Sequence, residues 1–134
     1  MLHRKIFDYL DNWKSTPQRK PLLIKGQRQV GKTYAVREFS KKYEHFVEIN
    51  FLENPQFSDI FDGSLSVQSI ISGMKLYFDP SLFVPGSTLL FFDEIQECPK
   101  ARTSLKWFAE DGSYDVIASG SMLGISDNMS GKGI

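Results

Sequence analysis

The sequence lacks the features that mark disulfide-rich, membrane-embedded or strongly charged proteins. Cys98 is the single cysteine among 134 residues, so no disulfide can form within the chain. The 16 basic and 16 acidic side chains cancel, so net charge does not indicate a nucleic-acid partner, although a local basic patch would not show in this sum. No run approaches the roughly 20 apolar residues of a membrane-spanning helix, and the first residues lack the apolar core of a signal peptide. We therefore expect a cytoplasmic protein that does not associate with membranes.

The composition is typical of one soluble domain. Hydrophobic residues make up 41% of the chain and charged residues 24%, which is enough to bury a core. No internal repeat or linker divides the sequence. We predict one domain over residues 1–124, followed by a flexible tail over residues 125–134 that is rich in polar residues and glycine.

A glycine-containing segment fits the phosphate-binding pattern G-x-x-x-x-G-K-[ST]. Its residues are Gly26-Gln27-Arg28-Gln29-Val30-Gly31-Lys32-Thr33. The apolar run 21–25 before it predicts a strand, and residues 32–43 after it predict a helix, with Val36 and Phe39 at helical spacing. Strand, loop and helix in this order predict a P-loop, or Walker A motif, that binds a nucleoside triphosphate.

Each fixed position of that pattern serves a separate chemical need. Gly26 and Gly31 allow backbone angles closed to other residues, so that successive N–H groups can point at an anion. Lys32 would contact the β- and γ-phosphates of ATP, and Thr33 would offer its hydroxyl to Mg²⁺. The helix that begins there adds its positive dipole end. The residues between the glycines would contribute backbone geometry only: Gln27, Arg28, Gln29 and Val30.

A second motif supplies the carboxylates that a nucleotide site needs. The apolar run 88–92 predicts a buried parallel strand, and Asp93 falls at its carboxyl end, where ligands of α/β proteins bind. We predict that this Walker B strand presents Asp93 to Mg²⁺, directly or through water. Glu94 follows at once and could activate an attacking water as a general base.

The order of elements predicts the fold class. Four predicted strands alternate with helices, which indicates an α/β protein with a three-layer arrangement around a parallel sheet. The predicted strands are residues 21–25, 45–51, 88–92 and 114–119, and the predicted helices are residues 6–13, 32–43, 67–74 and 100–110.

Three short motifs resemble those of a family of prokaryotic AAA-type P-loop ATPases. They are Arg28-Gln29-Val30-Gly31-Lys32-Thr33, Phe92-Asp93-Glu94-Ile95-Gln96 and Ser119-Gly120-Ser121. Members carry an N-terminal ATPase domain followed by a second domain. The resemblance implies that Asp93 binds Mg²⁺, that Glu94 activates water, and that a polar residue ending the fourth strand senses the γ-phosphate. We assign that sensor to Ser119, with Ser121 as the alternative.

The resemblance weakens after Ser121. Domains of this family have a fifth strand beside the P-loop strand, and then elements that supply an arginine finger or a second sensor. Residues 122–134 are too few and too polar to provide them, so we expect a truncated domain whose P-loop strand lies at an open sheet edge. We also expect hydrolysis by this chain alone to be slow.

These observations predict an ATP-binding AAA-type domain with Mg²⁺-dependent hydrolysis in its full-length relatives. Hydrolysis at a subunit interface would require a homo-oligomer or another protein partner. Two alternatives remain: a nucleotide-binding module without hydrolysis, and a helicase-like fragment, because Asp93-Glu94-Ile95-Gln96 also resembles the D-E-x-Q motif of some helicases. No second motor domain or aromatic and basic surface supports the helicase.

Overall fold

The computed structural model describes residues 2–26 and 30–121 as alternating helices and strands. The helices are α1 (Leu2–Lys14), α2 (Val30–Phe39), α3 (Val67–Met74) and α4 (Pro99–Asp111). The strands are β1 (Leu22–Lys25), β2 (His45–Asn50), β3 (Thr88–Asp93) and β4 (Asp115–Gly120). Short 3₁₀ turns cover Ser40–Lys42, Pro55–Phe61, Pro80–Leu82 and Ile95–Glu97.

The four described strands form one parallel sheet in the order β1-β4-β3-β2. The last strand in sequence therefore lies between the first and the third. In this register Ser119 is opposite Ile24 of β1 on one side, and Ala118 is opposite Phe92 of β3 on the other. The carboxyl ends of β1, β4 and β3 consequently meet at one edge of the sheet.

Helices cover both faces of the sheet and complete three layers. Alternate residues of β3 point to opposite faces, since successive side chains of a strand alternate. Leu89 and Phe91 pack with the inward residues of α1 and α2, whereas Leu90 and Phe92 pack with those of α3 and α4. All six residues of β3 are buried, as expected for a central parallel strand.

A polar network lies at the other end of the strands, where β4 begins. The Arg19 guanidinium donates to Asp115 Oδ2 from Nε at 2.9 Å and from Nη2 at 2.7 Å, and the Tyr43 hydroxyl donates to the same oxygen. Burial and the hydrogen bond to Asp115 raise the pKa of Tyr43. This network ties the segments before β1 and β2 to the start of β4.

The predicted α/β sheet is confirmed, with element ends that differ by a few residues. The helix predicted over residues 32–43 ends at Phe39 and tightens into the 3₁₀ turn Ser40–Lys42. Ser66 caps α3, since its hydroxyl accepts a hydrogen bond from the Ser69 amide at 3.2 Å. The prediction of a flexible tail and a missing fifth strand concerns residues that lie outside the described ranges.

Candidate functional site

A hydrogen bond between Thr33 and Asp93 connects the Walker A and Walker B motifs at the carboxyl ends of the strands. The Thr33 hydroxyl, in the first turns of α2, donates to Asp93 Oδ2 at 3.2 Å, although 60 residues separate the two. The first turns of α2 and the end of β3 thus meet where α/β proteins bind ligands. This contact shows that the two motifs lie side by side, which their positions in the sequence could not show.

The described part of the P-loop is open around its glycines. Gly26 has φ of +139°, a backbone angle that L-residues rarely adopt. Apart from chain neighbours and the backbone of α2, a Cβ atom added at Gly26 or at Gly31 would meet no described atom within 4 Å. The sequence assigns phosphate binding to Gln27, Arg28 and Gln29 as well, but these lie outside the described residues.

The Lys32 side chain lies between Gly26 and the end of β4. Its Nζ donates to the Gly26 carbonyl at 3.1 Å and lies 3.4 Å from the Gly120 carbonyl at the end of β4. Both of these neighbours are backbone oxygens. The ammonium group is therefore held between the end of β1 and the end of β4, close to the start of α2 at Val30.

Asp93 is held by donors from every neighbouring element. Its side chain is buried, with 6% of the residue exposed. Oδ1 accepts from the Ser119 hydroxyl at 2.6 Å and from the Glu94 amide at 3.0 Å. Oδ2 accepts from Thr33 and, at 3.4 Å, from Asn50 Nδ2. These four donors fix the orientation of the carboxylate at the carboxyl end of β3.

Glu94 follows in an unusual backbone conformation. Its φ and ψ are 54° and 48°, the left-handed region that costs a residue with a Cβ about 1–2 kcal/mol. The residue is buried, and its Oε1 accepts from Gln96 Nε2 at 2.8 Å and lies 3.4 Å from the Ser121 hydroxyl. Strain of this kind clusters at functional sites.

The two candidate sensor serines have different surroundings. Ser119 is fully buried and its hydroxyl is committed to Asp93, whereas Ser121 is half-buried and faces Glu94. The sensor role assigned to Ser119 from the sequence stays a prediction. Its hydrogen bond to Asp93 adds a second role that the sequence did not suggest.

Sequence reasoning missed two site residues, Asn50 and Gln96. Asn50 ends β2, donates to Asp93, and accepts from the Leu52 and Glu53 amides at 2.9 Å each. A polar residue at the carboxyl end of a parallel strand was the signal that could have identified it. Gln96 was noted only as part of a motif, and its contact with Glu94 depends on the turn Ile95–Glu97.

Comparison with models of protein families matches most of the chain to a known domain. A family model described as an AAA domain matches residues 18–132, well over half of the chain. The chain belongs to the AAA domain family. Membership implies a nucleotide-binding module, in agreement with the joined motifs at the edge of the sheet.

Solved structures show the same fold in this AAA domain. The structure of C. elegans PCH-2 superposes with a TM-score of 0.58 at 14% sequence identity. The match covers 95% of this chain and 39% of the PCH-2 chain, so the AAA domain corresponds to less than half of that protein. None of the curated proteins compared with the chain matches it. Among the described residues of the AAA domain, no helix is long and apolar enough to cross a membrane.

The AAA domain offers Mg²⁺ the kind of ligands that this ion takes. Mg²⁺ usually keeps several waters and binds one or two carboxylates together with substrate phosphates. The adjacent oxygens of Thr33 and Asp93 supply a hydroxyl and a buried carboxylate. The described residues contain no group of three or more His, Cys, Asp or Glu that could hold a metal by themselves. The residues present therefore fit a metal shared with nucleotide phosphates.

Proposed function

We propose that this AAA domain binds Mg-ATP at the P-loop and hydrolyses it with Glu94 as the general base. The observation that carries the proposal is the Thr33–Asp93 contact, because it places the phosphate motif and the metal motif in one site. Membership of the AAA family supports nucleotide binding, and the hydrolytic step is our inference from the residues around it.

Binding would use the backbone and two side chains. Amide groups of the loop and the start of α2 would face the phosphates, where the helix dipole also favours an anion. Lys32 would leave the Gly26 carbonyl to contact the β- and γ-phosphates. Thr33 and Asp93 would hold Mg²⁺, which when bound neutralises developing charge on the phosphate oxygens.

Glu94 would orient and deprotonate the attacking water. The water oxygen forms a bond to the γ-phosphorus as the bond to the oxygen bridging the β- and γ-phosphates breaks. Glu94 takes the water proton, and ADP and inorganic phosphate leave. The role requires a carboxylate that is fixed in place, and the buried position of Glu94 and its contact with Gln96 support it.

The serines at the end of β4 would divide two tasks. Ser119 would keep the Asp93 carboxylate oriented, because its buried hydroxyl donates at 2.6 Å to Oδ1. Sensing of the γ-phosphate was assigned to Ser119, and Ser121 remains the alternative. The exposure of Ser121 and its position beside Glu94 now favour Ser121 for that task.

The two alternative functions differ in the step after binding. A nucleotide-binding module would bind Mg-ATP without turnover, and a helicase-like protein would hydrolyse ATP in response to nucleic acid. Completion of the site by a second subunit or another protein, and a cytoplasmic location, remain our predictions for the whole protein.

Calorimetry with Mg-ATP tests the proposed function. Lys32→Ala should weaken binding about ten- to a hundredfold, because a charge-assisted contact contributes about 1.5–3 kcal/mol. Lys75→Ala removes an exposed lysine at the end of α3 and serves as the control, with affinity expected to stay at the wild-type value. Equal affinities for Lys32→Ala and wild type, both folded, would remove Lys32 from the site.

A further inference from the structure

Gln96 lies on a rigid turn directly after Glu94. The 3₁₀ turn Ile95–Glu97 is closed by hydrogen bonds from the Glu97 amide to the Glu94 carbonyl at 3.1 Å and from the Cys98 amide to the Ile95 carbonyl at 2.9 Å. Ile95 is fully buried and anchors the turn in the core formed with α3 and α4. The turn therefore fixes the backbone of Gln96, and its side chain reaches back to Glu94 Oε1 at 2.8 Å.

The orientation of the Gln96 amide is set by Glu94. A carboxylate only accepts hydrogen bonds, so the amide must present its NH₂ group to it. The Gln96 Oε1 atom is buried and has no hydrogen-bond partner among the described residues. An unpaired buried carbonyl is unfavourable. The NH₂ group nevertheless faces Glu94 while the carbonyl stays unpaired, which indicates that the hydrogen bond to Glu94 determines the orientation of the amide.

The backbone of Glu94 needs such support. A left-handed conformation at a residue with a Cβ persists only where the surrounding structure determines it. The turn Ile95–Glu97 restrains the main chain, and Gln96 restrains the side chain. The Gln96 amide holds the carboxylate through a neutral donor and adds no positive charge beside it.

We propose that Gln96 is a positioning residue that fixes the Glu94 carboxylate for activation of the attacking water. This inference rests on the hydrolytic role proposed above for Glu94. It assigns to Gln96 an effect on the transition state, since its side chain donates to Glu94, the residue that would act on the attacking water. Removal of its amide should leave nucleotide binding unchanged and weaken binding of a transition-state mimic.

The test compares Mg-ADP with Mg-ADP plus aluminium fluoride, which imitates the transferred phosphoryl group with its attacking water and needs no turnover. Gln96→Met keeps the side-chain length and removes the donor, and Gln96→Glu keeps the size and places a second carboxylate against Glu94. Both variants should bind Mg-ADP with an affinity within about twofold of wild type. The gain in affinity that aluminium fluoride adds should fall about ten- to a hundredfold, the range for loss of a hydrogen bond to a charged group.

Two controls make the effect specific to Glu94. Gln68→Met makes the same change on the exposed face of α3 and should keep the full gain from aluminium fluoride. In a Glu94→Gln background, Gln96→Met should cause no further loss, because Gln96 acts through Glu94. Far-ultraviolet circular dichroism checks that each variant is folded.

The outcomes separate the two proposals. A wild-type protein that binds no Mg-ADP would show that the proposed function is wrong. Wild type that binds Mg-ADP but gains nothing from aluminium fluoride would overturn the role of Gln96 while nucleotide binding stands. The role of Gln96 is also wrong if both Gln96 variants keep the wild-type gain in affinity from aluminium fluoride. It is wrong if they weaken binding of Mg-ADP alone by the same factor as binding with aluminium fluoride. It is wrong, too, if Gln96→Met lowers the gain further in the Glu94→Gln background.

Discussion

The hydrogen bond from Ser119 to Asp93 gives a prediction for stability and for metal dependence together. Ser119→Ala removes the 2.6 Å donor to Asp93 Oδ1 and leaves the Glu94 amide at 3.0 Å on that oxygen. The serine is fully buried, so water cannot replace the lost hydroxyl without entering the core. The carboxylate should therefore lose both stabilisation and a fixed orientation.

The expected size of the effect depends on the charge of the acceptor. A hydrogen bond to a charged group contributes about 1.5–3 kcal/mol, against about 0.5–1.5 kcal/mol for a neutral pair. Small proteins have urea m-values of about 1–3 kcal/mol/M, so the unfolding midpoint of Ser119→Ala should fall by about 1 M. The Mg²⁺ concentration that half-saturates ATP binding should rise in the same variant, because Asp93 no longer keeps the orientation that binds the metal.

Ser104→Ala is the matched control for the unfolding experiment. Ser104 is also fully buried, but its hydroxyl donates to the Ala101 carbonyl within α4. The change removes a neutral local hydrogen bond, and alanine favours a helix more than serine does. We expect a midpoint shift well below that of Ser119→Ala. If the two variants unfold at the same urea concentration, and Mg²⁺ dependence is unchanged in both, the assignment of Ser119 to Asp93 is wrong.

Two further predictions concern the carboxylates of the site and Tyr43 at the other end of the strands. Asp93→Asn should reduce the Mg²⁺ dependence of ATP binding measured by calorimetry, whereas Glu94→Gln should bind Mg-ATP normally and stop product formation in any active assembly. Turnover by Glu94→Gln at the wild-type rate would contradict the base assignment. The raised pKa of Tyr43 means that its contribution to stability is complete below its unfolded pKa of about 10 and is lost as pH rises further. Tyr43→Phe should thus be less stable near neutral pH but show a smaller fall in urea midpoint above about pH 10, and an unchanged fall would refute this.

The sequence predicted the parts of the site that local patterns encode. The P-loop and the Asp93-Glu94 pair each follow an apolar strand, so their spacing and flanking residues indicated both chemistry and location. The buried positions of Val36 and Phe39 followed from helical spacing. These predictions needed only neighbours within a few turns of the chain.

The contacts that escaped prediction join distant segments. Ser119 reaches Asp93 because β4 lies beside β3, and nothing in the linear order of elements fixes that lateral order. The Arg19–Asp115 pair spans 96 residues. The left-handed conformation of Glu94 was also unforeseen, because glutamate rarely adopts a positive φ and no glycine marks the position.

The strand order has a consequence for synthesis of the protein. Within the described residues β1 pairs only with β4, so the strand that leads into the P-loop has no partner in the sheet until residues 115–120 are made. A ribosome releases the α1, β1 and α2 segments first, with the apolar side chains that later contact β3 and β4 still uncovered. Pairing of β1 with β4 must then close a loop of about ninety residues, a slow type of contact. A nascent chain that already displays the complete glycine loop should therefore gain no stability from ATP until β4 has emerged.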